Sequence, residues 1–188
     1  MSAKISDNIW FTRLARIEAS KRLLSAETHS QALLVSYSLM SVSLSIIFLV
    51  QKSTNFDNVI LCLLSTIILV LSLVVSNGNY KGRSIEMKQN YIALQLLYYK
   101  ALKSEEEEDK DALNEIGLEY NRLLSQTENH KTVDDIRARK DRNTSRPVTE
   151  KEEEILTTDN FIKLAKIILW WLPFLIGVLY GINTIFKL

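Results

Sequence analysis

The sequence predicts an all-α membrane protein: a transmembrane helical hairpin, a cytoplasmic helical bundle and a third transmembrane helix near the C-terminus. Three observations point there. Ala32 to Val50, Val59 to Ser76 and Ile167 to Phe186 are apolar and free of Asp, Glu, Lys and Arg. At about 1.5 Å of rise per residue, helices of that length approach the roughly 30 Å of a bilayer core. The polar stretches between them carry apolar residues at four-three spacing, which asks for partner helices. Lys and Arg also cluster on the flanks of the first two runs and are scarce between them.

A mean hydropathy near zero conceals this pattern, because it averages two different populations. A soluble buried helix pair is the alternative for the hairpin, but uncharged helices this long are uncommon in a chain of 188 residues. The expected divisions are 1–31, a cytoplasmic helix continuing into the first span; 32–76, the hairpin; 77–142, a cytoplasmic helical hairpin and basic segment; 143–163, a linker and short charged helix; and 164–188, the third span. The first run lies too deep in the chain to read as a cleavable signal. Cys62, the only cysteine, falls in the second span, so no intramolecular disulfide forms and packing is its expected role.

Orientation follows from the cations. Lys4, Arg13, Arg16, Lys21 and Arg22 precede the first span and Lys81, Arg83 and Lys88 follow the second, whereas the loop has only Lys52, beside Asp57. The N-terminus is therefore expected in the cytoplasm, and three spans place the C-terminus outside. Lys163 and Lys166 before the third span, against Lys187 after it, agree.

In chain order, Asp7 or Asn8 caps a helix beginning near Ile9, and no Gly or Pro interrupts it before the end of the first span. Trp10, Leu14, Ile17, Lys21 and Leu24 form its seam, for a partner helix or a lipid surface. Ser38, Ser41 and Ser45 in the first span and Ser65, Ser72 and Ser76 in the second make mildly polar stripes. These are candidates to line a pore, or they pack closely and bond to their own helix carbonyls.

Asn77, Gly78 and Gly82 break the second helix, and a new one starts near Ser84 with Met87, Tyr91, Leu94, Tyr98 and Ala101 as its seam. Ser104 with Glu107 fits a capping box opening the next helix, which carries Leu113, Ile116, Tyr120 and Leu123 and ends about Gln126. A bundle that includes the long first helix buries these seams. Arg137, Arg139, Lys140, Arg142 and Arg146 then form a basic stretch, open to anionic lipid or a phosphate-bearing ligand, or simply a solvated helix end and linker. Thr149 and Glu152 open a short charged helix feeding the third span. There Trp170 and Trp171 lie near the cytoplasmic end, and Pro173, Gly177 and Gly181 share a close-packing face expected to hold neighbouring spans.

The stretch Trp10-Phe11, Ala15-Arg16-Ile17-Glu18-Ala19 and Arg22-Leu23, the two-span hairpin, Tyr120-Asn121 with Leu123-Leu124, and Glu128-Asn129-His130 before Asp134 together resemble the SLATT family. The added span is similar to the branch found beside reverse transcriptases. These are bacterial two-span proteins found with nucleotide second-messenger synthetases. The resemblance implies an antiphage effector acting on the inner membrane as an oligomeric pore or by disrupting it. Its implied partners are the lipid bilayer, further copies of itself, and a nucleotide second messenger or a nearby reverse transcriptase. It marks Trp10, Arg16, Glu18, Arg22, Asn129, His130 and Asp134 as motif residues. An aromatic often follows the closing aspartate, where this chain has Asp135.

The residues alone argue against an enzyme. His29 and His130 are the only histidines, and there is no nucleophile motif, glycine-rich phosphate loop or metal-ligand spacing, so no catalytic residue, metal or cofactor is expected. Arg16, Glu18 and His130 fit helix-tying and bundle-closing roles at least as well as ligand binding. A non-conducting membrane anchor that recruits a cytosolic enzyme is the alternative function.

Overall fold

The computed structural model describes residues 4–50, 54–142 and 144–186, so Lys52 of the expected loop, Asn143 of the linker and Lys187 lie outside it. Among the described residues there are six helices and no strand: α1 (Ile5–Val50), α2 (Asn55–Gly78), α3 (Tyr80–Glu106), α4 (Lys110–Ser125), α5 (Thr132–Arg142) and α6 (Glu150–Ile185). Three of the helices contain a stretch long and apolar enough to cross a membrane, as the three uncharged runs require. The helices sort into a polar unit, Met1–Ser25 with Tyr80–Asp159, and an apolar unit, Ala26–Asn79 with Asn160–Leu188. The division falls inside α1 and α6, since neither helix holds a Gly or Pro there that would end it.

In the polar unit α1 has neighbours on several sides. Its backbone and side chain at Ser6 donate to Glu105 of α3 at 3.0 and 2.7 Å, Thr12 meets Tyr120 of α4 at 2.7 Å, and Arg22 meets Asp134 of α5. A seam on Trp10, Leu14, Ile17, Lys21 and Leu24 is therefore too narrow a description. Ile9, Leu14, Ala15, Ala19 and Leu23 are buried, and Leu24 is 54% exposed. Met87, Leu94 and Ala101 of α3 are buried as their spacing predicts, as are Ile116 and Leu123 of α4.

Several helix ends differ from expectation. α1 starts at Ile5, which puts Asp7 in its first turn, where a carboxylate favours the helix dipole, rather than at a cap. α2 ends at Gly78, and Asn79 takes the left-handed cap conformation at φ 41°. α3 then begins at Tyr80, so Gly82 lies inside it. Ser104 does not open α4: it is on the buried edge of α3, one turn beyond Ala101, and packing carries the helix through it to Glu106. Asp109 caps α4 instead, accepting from the Asp111 and Ala112 amides at 3.1 and 3.0 Å. The Thr149–Glu152 capping box forms, with Thr149 N donating to Glu152 at 2.9 Å and Glu152 N to Thr149 at 3.4 Å. It opens a single 36-residue helix rather than a short one followed by a span.

In the apolar unit Leu33, Tyr37, Met40, Leu44 and Phe48 of α1 form one buried stripe with Leu64 and Leu71 of α2, and Trp171, Phe174, Val178 and Tyr180 of α6 pack on it. Gly177 and Gly181 lie against this stripe. A Cβ on Gly177 would come within 2.5 Å of Met40 Sδ, and one on Gly181 within 3.0 Å of Leu44 Cδ2. The glycine face is thus occupied by the chain's own first helix, where sequence reasoning expected a neighbouring span. Small residues act this way in lipid because backbone approach, rather than water exclusion, supplies the attraction.

Gly177→Ala should be accommodated by movement of the flexible Met40 side chain. Gly177→Leu should cost about 1–3 kcal/mol by overpacking and lower the thermal midpoint in mild detergent, and Met40→Ala should recover part of that loss. An unchanged midpoint for Gly177→Leu would contradict the close approach.

Candidate functional site

Four motif residues, Arg16, Glu18, Arg22 and Asp134, tie the helices of the polar unit together. Arg16 is fully buried on α1. It donates through one terminal nitrogen to the side-chain Oδ1 of Asn90 on α3 and to the Leu123 backbone carbonyl at 3.2 Å, and through the other to the Leu124 backbone carbonyl at 3.3 Å. Asn90 also donates to the Leu123 carbonyl at 2.7 Å. The last carbonyls of α4 have no partner within their helix, and the helix dipole makes that end negative, so a cation placed there stabilises it. Burial pushes the Arg16 guanidinium below its ordinary value, with the Tyr120 hydroxyl acting in the opposite direction. The group stays charged, because arginine is not deprotonated in proteins.

Beside it, Arg22 grips Asp134 with two bonds, Nε to Oδ1 at 2.8 Å and a terminal nitrogen to Oδ2 at 3.0 Å. Asp134 is fully buried and also accepts from the Lys131 amide at 2.9 Å, so it fixes the start of α5 on α1. Glu18, also buried, receives Lys21 at 2.9 Å and Arg142 of α5 at 3.1 Å. Trp10 is half-buried against Tyr98, centroids 5.0 Å apart, with the Arg13 guanidinium 4.9 Å over its ring.

His130 lies in the connection before α5, and Asn129 next to it is exposed. Its Nδ1 is buried without a hydrogen-bond partner. His130 joins Asn8, Phe11, Thr12, Tyr120, Asp135 and Arg146 around a cleft of about 230 Å³. Arg146 sits 3.9 Å over the Phe11 ring and forms one wall. Burial holds the His130 imidazole below its ordinary value, outweighing the Asp135 carboxylate that acts the other way. The cleft therefore offers a neutral imidazole, hydroxyls, a carboxylate and a stacked guanidinium. That set suits holding a small polar molecule; it has no activated nucleophile, and no group of His, Cys, Asp and Glu able to hold a metal occurs among the described residues.

Four cations of the basic stretch are ion-paired, while Arg146 lines the cleft beside Phe11. Arg137 pairs with Asp159 at 3.2 Å, Arg139 with Asp135 at 3.0 Å and with Glu152, Lys140 with Glu153 at 2.8 Å, and Arg142 with Glu18. These residues form a helix, α5, whose cations join α1 to the start of α6. Arg139 and the Thr149 cap hold the Glu152 carboxyl down to about 2. The Asp135–Arg139 pair is local, at i,i+4 spacing, but Asp159, Glu152 and Glu153, which meet Arg137, Arg139 and Lys140, come thirteen or more residues later and have no local spacing signal.

The span candidates sit in the apolar unit. Ser38 and Ser45 are half-buried and donate to the Leu34 and Ser41 carbonyls at 2.8 and 2.9 Å, Ser41 is half-buried, and Ser65, Ser72 and Ser76 are exposed, with Ser65 donating to the Leu61 carbonyl at 2.9 Å. Pro173 is inside α6, and one turn before it the Trp170 carbonyl accepts from Tyr37 at 2.7 Å. Sequence reasoning missed Asp57, buried at the start of α2. It accepts from Tyr180 of α6 at 2.7 Å and closes a capping box with Thr54, receiving that residue's amide at 2.7 Å. The Thr54-x-x-Asp57 spacing is the signal that would have found it.

Asp134→Asn should destabilise the polar unit by about 2–4 kcal/mol, because it leaves Arg22 partly buried and unpaired, and combining Asp134→Leu with Arg22→Met should restore most of that. Denaturant titration of the two variants checks it. His130 predicts a pH dependence. Unfolded, it takes a proton near pH 6.5; folded, it takes one only at lower pH, so the unfolded chain binds more protons and stability falls as pH drops below about 6.5. His130→Gln should melt with a flatter profile between pH 7.5 and 5.5, and parallel profiles would refute the assignment.

No curated protein and no solved structure matches the chain. One family model does, that of the SMODS and SLOG-associating 2TM effector domain family 5, over residues 2–185. The match takes in both units and reaches the end of α6, so the third apolar helix lies within the matched region. With a hairpin of apolar helices, a tied polar bundle and a match over nearly its whole length, the chain belongs to the SMODS and SLOG-associating 2TM effector domain family 5.

Proposed function

We propose that this chain is a membrane effector of bacterial antiphage defence that forms an oligomeric pore or disrupts the inner membrane when an infection signal reaches its polar unit. The observation that carries this reading is the division of labour along α1 and α6, each of which contributes to both the polar and the apolar unit. In this reading the polar unit faces the cytoplasm, with the N-terminus inside and the C-terminus outside, as the Lys and Arg distribution favours. The cleft beside His130 is the place to read a small polar signal such as a nucleotide second messenger. No enzymatic step is required.

A second reading is a non-conducting anchor that recruits a cytosolic enzyme, such as a reverse transcriptase or nucleotide synthetase. The self-bonded serines favour it, since Ser38, Ser45 and Ser65 satisfy their hydroxyls within their own helices.

Purified protein in liposomes of bacterial lipid should release entrapped potassium when activated, and Ser38→Leu with Ser45→Leu and Ser72→Leu should abolish the release while leaving assembly intact. Release by the triple variant at the parent's rate would reject the serines as pore lining. No release from the parent under any activating condition, with capture of a neighbouring enzyme at the membrane, would favour the anchor.

A further inference from the structure

α3 is apolar on two edges, and its own unit covers only one. Met87, Leu94, Leu97 and Ala101 face the core, while Ile85, Ile92, Leu96 and Tyr99 are 48%, 48%, 63% and 60% exposed. The exposed set continues as Ile85, Gln89, Ile92, Leu96, Tyr99 and Lys103, in strict four-three alternation. This is a coiled-coil seam with Ile85, Ile92 and Tyr99 at d and Gln89, Leu96 and Lys103 at a, and such a seam exposed to water marks an interaction surface.

We propose that the outward seam of α3 joins the polar units of two copies of this chain side by side, in parallel. The pairing pattern along α3 selects a second copy. Side by side in parallel, α3 meets its own copy a against a and d against d. The flanking charges are then self-complementary. Lys81 at g faces Glu86 at e of the second copy, five residues on, and both are exposed. The next flanking pairs, Lys88 with Ala93 and Gln95 with Lys100, set no like charges together. Polar residues at a, Gln89 centrally and Lys103 at the end, cost affinity but fix register. The seam is short, and confinement to the membrane raises the effective concentration of copies enough for a short seam to act. The proposal rests on the oligomeric reading above but not on conduction.

The experiment uses full-length protein in membranes with Cys62→Ser, since Cys62 is exposed. Ile85→Cys, Ile92→Cys and Tyr99→Cys are introduced singly, with Leu118→Cys on the exposed face of α4 as control, and helicity is checked for each. Under mild oxidation all three seam variants should form disulfide-linked homodimers at several-fold higher yield than the control. The symmetric dimer carries the Lys81–Glu86 pair twice, so Lys81→Glu should lower the Ile92→Cys yield about tenfold, the scale of two exposed ion pairs, and adding Glu86→Lys should restore it. A homodimer at only one of the three positions means an antiparallel or glancing contact and overturns the parallel seam. No homodimer at any of them, in protein that a lysine-reactive cross-linker shows to be oligomeric, overturns the seam while leaving oligomerisation standing. A chain that stays monomeric in both assays ends both readings.

Discussion

The polar unit depends on a guanidinium placed where α1, α3 and α4 meet and would otherwise leave polar groups unanswered. Arg16 is out of contact with water, and removing a cation from water costs several kcal/mol even after relaxation. It is offset by the open carbonyls of Leu123 and Leu124 and by Asn90. Those carbonyls are acceptors that α4 cannot satisfy itself, so the cation and the helix end each remove the other's desolvation cost. Asn90 reaches the same carbonyl, which binds α3 into the junction. The position of α4 is thereby set by hydrogen-bond geometry as well as by the apolar pairs around Ile9 and Leu94.

The second tier, Arg22 with Asp134 and Arg142 with Glu18, is built on that junction and differs in character. Each pair places a fully or nearly buried carboxylate against an arginine that retains some contact with water. Arg139 keeps only 9% exposure where it meets Glu152, while Arg137 with Asp159 and then Lys140 with Glu153 are progressively more exposed. Their individual worth is small and screened by salt. α5 is therefore tied to α1 by Arg22 and Arg142 and to α6 chiefly by Arg139.

The three spans are legible in sequence because a bilayer demands length and absence of charge, which survive any packing arrangement. The Thr149–Glu152 cap is legible because its partners are three residues apart. The buried face of α1 is not, since a periodicity argument assumes one partner side and this helix has several. Nor is the role of Ser104, whose cap signature is real but is overruled by the packing of Ala101 and Leu97 beside it. The charge network of α5 is hidden for a further reason: Glu18 and Arg142 are 124 residues apart, and nothing local in either segment names the other. The motif residues Arg16, Glu18, Arg22 and Asp134 could be located by resemblance, but their pairing needed the fold.

The two units are held by different forces, and α6 experiences both. In the apolar unit large side chains such as Leu39, Leu49 and Leu179 stay exposed, as lipid permits, so burying apolar surface gives little net attraction between spans. What holds α6 there is backbone approach at Gly177 and Gly181 and two hydrogen bonds, Tyr37 to the Trp170 carbonyl and Tyr180 to Asp57. At its other end, in the polar unit, α6 is held through Glu152, Glu153 and Asp159 by the cations of α5. Ionic strength and competing polyanions weaken ion pairs at the water-exposed end and leave hydrogen bonds in a low-dielectric medium untouched. The exposed pair of Lys140 with Glu153 therefore responds to salt, while the close approach at Gly177 and Gly181 does not.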